Sequence, residues 1–252
     1  MLDAFQSRKE TSGGHLTAMG LGRVLWGLIF LLLMPTVTYA QACEAPRGLR
    51  DTWGFRTQDL EALADRPGEP RLVEKNIRTL NNSEQGELEA RLHMHALFRE
   101  NIEHFKGAIR DIERQESFLP NLEASEVLCS NGSPVNYARV RQKLEFRFLI
   151  FSREYEYILH YFLEEPTESG AELNVWWTLA EPIDDQITAT DGSWYFEPVV
   201  VDGASYTYMA YGTHTVFRDE KMGLRAALDR FSERNAAAAM RALQAEAVER
   251  AD

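Results

Sequence analysis

The chain has 252 residues, of which 44% are hydrophobic, 11% aromatic and 26% charged, the composition of a folded protein with a sizeable core. Its formal charge of -12 argues against a nucleic-acid partner, because neutralising phosphates needs clustered Lys and Arg not offset by acids. The same charge argues against broad adsorption to anionic membranes.

Residues 1–40 read as a targeting segment. Arg23 precedes the uninterrupted apolar run Val24 to Met34, and small residues follow from Pro35 to Ala40, before a cut in TVTYA or AQA. The run is shorter than the about 20 residues that span a bilayer, which favours a cleaved signal peptide over an anchor. Met19 is an alternative start to Met1. The expected location is periplasmic or secreted. Cys43 follows Ala40-Gln41-Ala42, but the leucine of a lipoprotein box is missing, so lipidation is not expected. Cys43 and Cys129 are the only cysteines, and in an oxidising compartment they are disulfide candidates; two unpaired thiols are the alternative.

Residues 41–70 are charged and punctuated by Pro46, Gly48, Pro67, Gly68 and Pro70, which suggests an N-terminal arm with one short helix around 57–64. Strands are predicted at 73–80 and 86–96, joined by the turn residues Asn81, Asn82 and Ser83, with Leu92, Met94 and Ala96 inward and Arg91, His93 and His95 outward. The spacing of Ile102, Phe105, Ile109 and Ile112 predicts a helix within 98–115, closed by Ser117-Phe118-Leu119-Pro120. A strand at 122–129 and the turn Asn131-Gly132-Ser133-Pro134 lead into the most strongly patterned stretch of the chain.

In that stretch, residues 139–163, Val140, Leu144, Phe146, Phe148 and Ile150 alternate with Arg139, Arg141, Lys143, Glu145 and Arg147. A turn at Ser152 and Arg153 is expected. Tyr155, Tyr157, Leu159, Tyr161 and Leu163 then share one face of a second strand, with Glu154, Glu156 and His160 on the other. This is an antiparallel hairpin whose wet face can pair Arg and Lys with Glu, while its apolar face needs a cover. Further strands are predicted at 173–180, 186–190, 194–201 and 205–217, the last two joined by Asp202-Gly203. From Met222 to Arg250 the period changes to that of one long helix of about seven turns, with Leu224, Leu228 and Phe231 at its start and Ala239 and Leu243 continuing the stripe. That helix is the natural cover for the sheet.

The order strands, helix, antiparallel strands, long C-terminal helix, together with EARLHMHA, FLPNLEASEVL, FSREY, DGSWYFEP and ASYTYMAY, resembles the START-like branch of the SRPBCC superfamily, relatives of steroidogenic acute regulatory lipid transfer proteins, over about Leu72 to Glu249. The resemblance implies an α+β helix-grip fold: residues 71–252 as a curved antiparallel β-sheet wrapped around a long C-terminal α-helix, with a cavity for a lipid or other hydrophobic small molecule. It implies neither a cofactor nor a universal catalytic residue. The residues expected to line the cavity are Phe146, Phe148, Tyr157, Tyr161, Trp177, Trp194 and Tyr208 from strands, and Leu228, Phe231 and Ala239 from the helix. The alternative is that the same side chains fill a solid core. A tyrosine-rich face favours the cavity, because each buried hydroxyl needs a partner.

The remaining chemistry-bearing residues point less far. His93 and His95 share a strand face without a third metal ligand, so no metal is expected. His160 and His214 could serve as acid or base, but alternation puts His160 opposite the aromatic row. Asp184, Asp185 and Asp191 fall in turn-like sequence, and Ser193 lacks a nucleophile elbow. The expected function is an exported carrier with transient membrane contact. Two alternatives are a polyketide cyclase or aromatase-like enzyme in the same cavity, and a non-binding envelope interaction module.

Overall fold

The computed structural model describes residues 41–80, 86–148, 151–165, 171–218 and 223–251, and of residues 41, 42, 148 and 151 the backbone alone. The expected signal peptide, the Asn81-Asn82-Ser83 turn, Ile150 and the side chain of Phe148 lie outside that description. Among the described residues, nine strands form one sheet in the order β1-β4-β5-β6-β7-β8-β9-β3-β2. They are β1 Gln41–Ala42, β2 Arg71–Leu80, β3 Glu87–Phe98, β4 Leu122–Asn131, β5 Tyr137–Phe148, β6 Phe151–Glu164, β7 Leu173–Pro182, β8 Ile187–Val201 and β9 Ala204–Phe217. All neighbours pair antiparallel except β1, which runs parallel to β4. Among the described residues three α-helices complete the fold: α1 Leu60–Ala64, α2 Ile102–Arg110 and α3 Leu224–Glu249.

The sheet is curved and unclosed, and α3 lies along its concave side: this is the helix-grip fold. The cause is visible in the inward rows. Ala236, Ala237, Met240, Leu243 and Ala247 of α3 pack with Met94, Tyr161, Trp194 and Phe196 of the strands and with Phe105 and Ile109 of α2. The alanines let the helix backbone approach the sheet while costing no side-chain entropy. Helix α3 has no proline, and Gly223 before it takes the left-handed conformation, φ 88°, that starts the chain in a new direction. Helix α2 starts at Asn101, whose side-chain oxygen accepts from the Glu103 backbone N–H at 2.9 Å. It is shorter than 98–115: Phe98 belongs to β3, and Glu113–Ser117 is a 3-10 turn.

The central hairpin is β5 with β6, and its wet face carries the expected pairs, Arg141 Nε to Glu156 at 2.6 Å and Lys143 to Glu154 at 2.9 Å. Ser152 and Arg153, expected at its turn, are already in β6 opposite Arg147 and Phe146. The two strands read at 186–190 and 194–201 are one, β8. Asp191-Gly192-Ser193 resembles a turn by composition, yet here each residue has a lateral partner. Asp191 meets His214, Ser193 Oγ donates to Asn174 at 2.9 Å, and Gly192 lies so close to Trp177 that a Cβ would sit 2.1 Å from the indole. Asp202 and Gly203, both at positive φ, form the expected turn into β9.

Residues 41–70 are no loose arm. Cys43 is disulfide-bonded to Cys129, their Cα atoms 5.6 Å apart, and this fixes β1 against β4. The chain then crosses the convex side of the sheet, where Trp53 and Phe55 occupy the space left by Gly212; a Cβ there would stand 2.4 Å from Trp53. Leu63 of α1, wholly buried, packs with Leu97, Tyr195 and Tyr208.

Candidate functional site

Between the concave sheet and the first half of α3 the side chains leave a cavity of about 230 Å³. Drug-sized sites hold roughly 300 to 1,000 Å³, so this space suits a fused ring system or a short acyl segment. Its walls follow from two periods. Alternate residues of β5, β6, β7 and β8 supply Phe146, Tyr157, Tyr161, Trp177 and Trp194, and the 3-4 spacing of α3 supplies Leu228, Phe231 and Ala239. Eight of the ten residues expected at a cavity thus surround one.

The other two differ. Phe148 has no described side chain. Tyr208 is on the convex face, wholly buried with Leu63, Leu97 and Tyr195, and its ring packs edge-on against His95. The inward row of β9 is instead Met209, Tyr211, Thr213, Thr215 and Phe217, and Tyr211 is the tyrosine that faces the cavity. Both rows of β9 carry large side chains because both faces of this strand are covered, so alternation alone does not tell inside from outside. Tyr155 and Leu224 also line the space, as does Gln115 from the 3-10 turn, a residue for which sequence spacing gives no signal.

The aromatic rings are ordered against one another. Tyr161 and Trp177 lie nearly parallel, 11° between planes with centroids 6.3 Å apart, and Trp194 lies 4.1 Å from Tyr211. Gly192 allows the Trp177 indole to lie flat on β8. Burial raises the pKa of Tyr155 and of Tyr211 to about 12, and that of Tyr157 and Tyr161 further still. These hydroxyls are therefore neutral donors at physiological pH. Arg91 touches the cavity wall, but its guanidinium stands 4.3 Å over the Trp53 ring on the convex side, by the strand alternation that turns Leu92 inward. Among the described lining residues, no His, Asp, Glu or Lys faces the cavity.

His93, His95, His160 and His214 instead serve the convex face. His214 Nδ1 meets Asp191 at 2.8 Å and its Nε2 meets Glu89 at 3.0 Å; the hydrogen bond to Asp191, above all, holds its pKa above the usual value. Asp191 also accepts from Trp53 Nε1 at 3.2 Å, tying the N-terminal segment to the sheet, and Glu89 pairs with Arg78. His93, expected on a wet face, is buried and stacked 4.5 Å from Phe55, and burial with the nearby charges of His95 and Arg91 brings its pKa down to about 4. His95 is buried beside it. His160 bonds Tyr137 at 3.0 Å. No group of three His, Cys, Asp or Glu with metal-binding geometry occurs among the described residues. Asp184 is the turn aspartate expected, accepting the backbone N–H groups of Glu156 and Gln186.

No protein-family model and no curated sequence matches the chain. Solved structures do, at low identity. TTHA0849 from Thermus thermophilus superposes with a TM-score of 0.50 at 12% identity, over 64% of this chain and 99% of that one. A STAR-related lipid transfer protein from Xanthomonas axonopodis gives 0.49 at 13%, over 71% and 99%. The Zhui aromatase/cyclase from a Streptomyces gives 0.49 at 18%, over 65% and 96%. The superposition on TTHA0849 shows a shared fold and nothing finer.

Proposed function

We propose that this protein is an exported carrier that binds a hydrophobic small molecule between its sheet and its C-terminal helix. The observation that carries the reading is the cavity itself: about 230 Å³ of partly open space lies between the sheet and the first half of α3, walled by aromatic rings and aliphatic side chains. Apolar ligand surface buried there contributes roughly 25 cal/mol per Å², before the costs of association are subtracted.

Two features support the finer parts of the reading. The Cys43–Cys129 disulfide belongs with an oxidising compartment, and the apolar run before it belongs with export. The described cavity wall offers tyrosines that stay protonated and no carboxylate or imidazole, which favours holding a ligand over acid–base chemistry on it. The net charge of -12 disfavours nucleic acid as a partner.

The test is organic extraction of protein purified from its own host envelope, followed by mass spectrometry. A stoichiometric apolar molecule that an otherwise identical Ala239→Trp protein lacks is the expected result. Protein that carries nothing, and that binds no apolar probe after delipidation, contradicts the reading.

A further inference from the structure

The cavity wall carries a polar pair whose hydrogen-bonding capacity packing does not exhaust; Ser232 Oγ, elsewhere on the wall, is a second buried group without a partner among the described residues. Gln115 and Tyr161 are 2% and 3% exposed, and both line the space. The Gln115 amide nitrogen donates to the Ile109 carbonyl at 2.8 Å, which fixes how the amide is turned, since that carbonyl can only accept. Its second N–H reaches the Tyr161 hydroxyl oxygen at 3.4 Å. Two groups are then left over. The Tyr161 O–H proton has no acceptor among the described residues, and the Gln115 Oε1 oxygen has no donor. Burial keeps the Tyr161 phenol protonated, so it remains a donor. Leaving such groups unmet once a ligand has displaced water from the site costs more than one ordinary hydrogen bond contributes.

One donor and one acceptor side by side are the complement of a hydroxyl group, which accepts from one neighbour and donates to the other. A carbonyl would satisfy only Tyr161. A carboxylate would face the Gln115 oxygen with like polarity and find no cation, because the one guanidinium at the described wall, that of Arg91, stands over Trp53 on the far side of the sheet. Burying an unpaired anion is far more costly than burying a neutral alcohol. We infer that the ligand is a neutral, largely apolar alcohol or phenol, its hydroxyl held between Tyr161 and Gln115 and its apolar body stacked along Trp177. This rests on the carrier reading above and narrows it to a chemical class.

The experiment displaces N-phenyl-1-naphthylamine, a neutral fluorescent probe, from delipidated protein with three compounds of one skeleton: naphthalene, 2-naphthalenemethanol and 2-naphthoate at pH 7. The expected order is the alcohol about three- to tenfold tighter than naphthalene, the span of one net hydrogen bond, with naphthoate weaker than both. In Tyr161→Phe the alcohol should fall to the affinity of naphthalene, while naphthalene itself changes less than about twofold, since only the phenol donor is removed. Tyr137→Phe, which removes a hydroxyl from the convex face, should keep the wild-type order. Naphthoate binding as tightly as the alcohol, or Tyr161→Phe weakening naphthalene as much as the alcohol, overturns the inference and leaves the carrier reading standing. Absence of any binding, by the probe or by all three compounds, overturns both. The wild-type order is decisive even if the variant fails to fold.

Discussion

The two faces of the sheet are built from the same residue types and end in opposite states. At the crossing of β8 and β9 two glycines lie on adjacent strands, Gly192 turned inward and Gly212 outward, and each makes room for a tryptophan. On the convex side that tryptophan, Trp53, arrives with Phe55 on a segment that closes the surface over His93, His95 and Gly212. On the concave side Trp177 lies flat, and the helix above it presents Ala236 and Ala239, so space remains. Large side chains fill one face because a covalently anchored segment is pressed onto it; they leave a hollow on the other because the cover is a rigid helix with small residues.

If the convex face is only scaffold, breaking it should cost stability and leave the cavity's ligand affinity alone. The largest effect is expected from the double change Cys43→Ser and Cys129→Ser. The bond closes a loop of sequence separation 86, and its loss should cost about 2 to 5 kcal/mol in urea unfolding, with probe affinity in the surviving folded fraction unchanged. Next is Trp53→Ala, which removes a half-buried ring, its hydrogen bond to Asp191 and the stacking of Arg91; about 2 kcal/mol is expected, again without change in probe binding.

A smaller effect follows from His93 beneath Phe55. Its pKa is about 4 in the fold against 6.5 when unfolded, so between those values the unfolded chain binds more protons. Stability is therefore lost as pH falls from about 6.5 toward 4, by at most about 3 kcal/mol and nearer 1 to 2 once solvent screening is allowed for, and His93→Asn should flatten that part of the curve relative to wild type. His214 works in the opposite direction: with its pKa raised, its contribution is complete below the unfolded value and fades as pH rises through the folded one. Thermal midpoints of His214→Gln and wild type should differ at pH 6 and converge at alkaline pH.

Much of the concave face is legible in the sequence because one side of each hairpin strand is wet. Arg141, Lys143, Glu154 and Glu156 mark the outside, and the tyrosines opposite them can only point in. Where both faces are covered the signal fails. Tyr208 and Tyr211 have opposite parity on β9, and nothing in the strand itself says which face the N-terminal segment will claim. Asp191-Gly192-Ser193 has turn composition because its carboxylate, its missing Cβ and its hydroxyl each answer a partner more than ten residues away. Trp53 and Phe55 sit in a charged, proline-punctuated stretch, and their role depends on a glycine 159 and 157 positions later, a relation no local period encodes.

The account stands on the concave space being a binding site, and Ala239→Phe tests that most directly. Titrating wild type and variant with N-phenyl-1-naphthylamine, beside a urea unfolding curve for each, should show one probe bound per wild-type chain. The variant should lose that binding while its stability shifts by less than about 1 kcal/mol, because the new ring enters space already present. Wild type that binds no probe, together with a variant destabilised by the roughly 1 to 3 kcal/mol of an overpacked core, would contradict it.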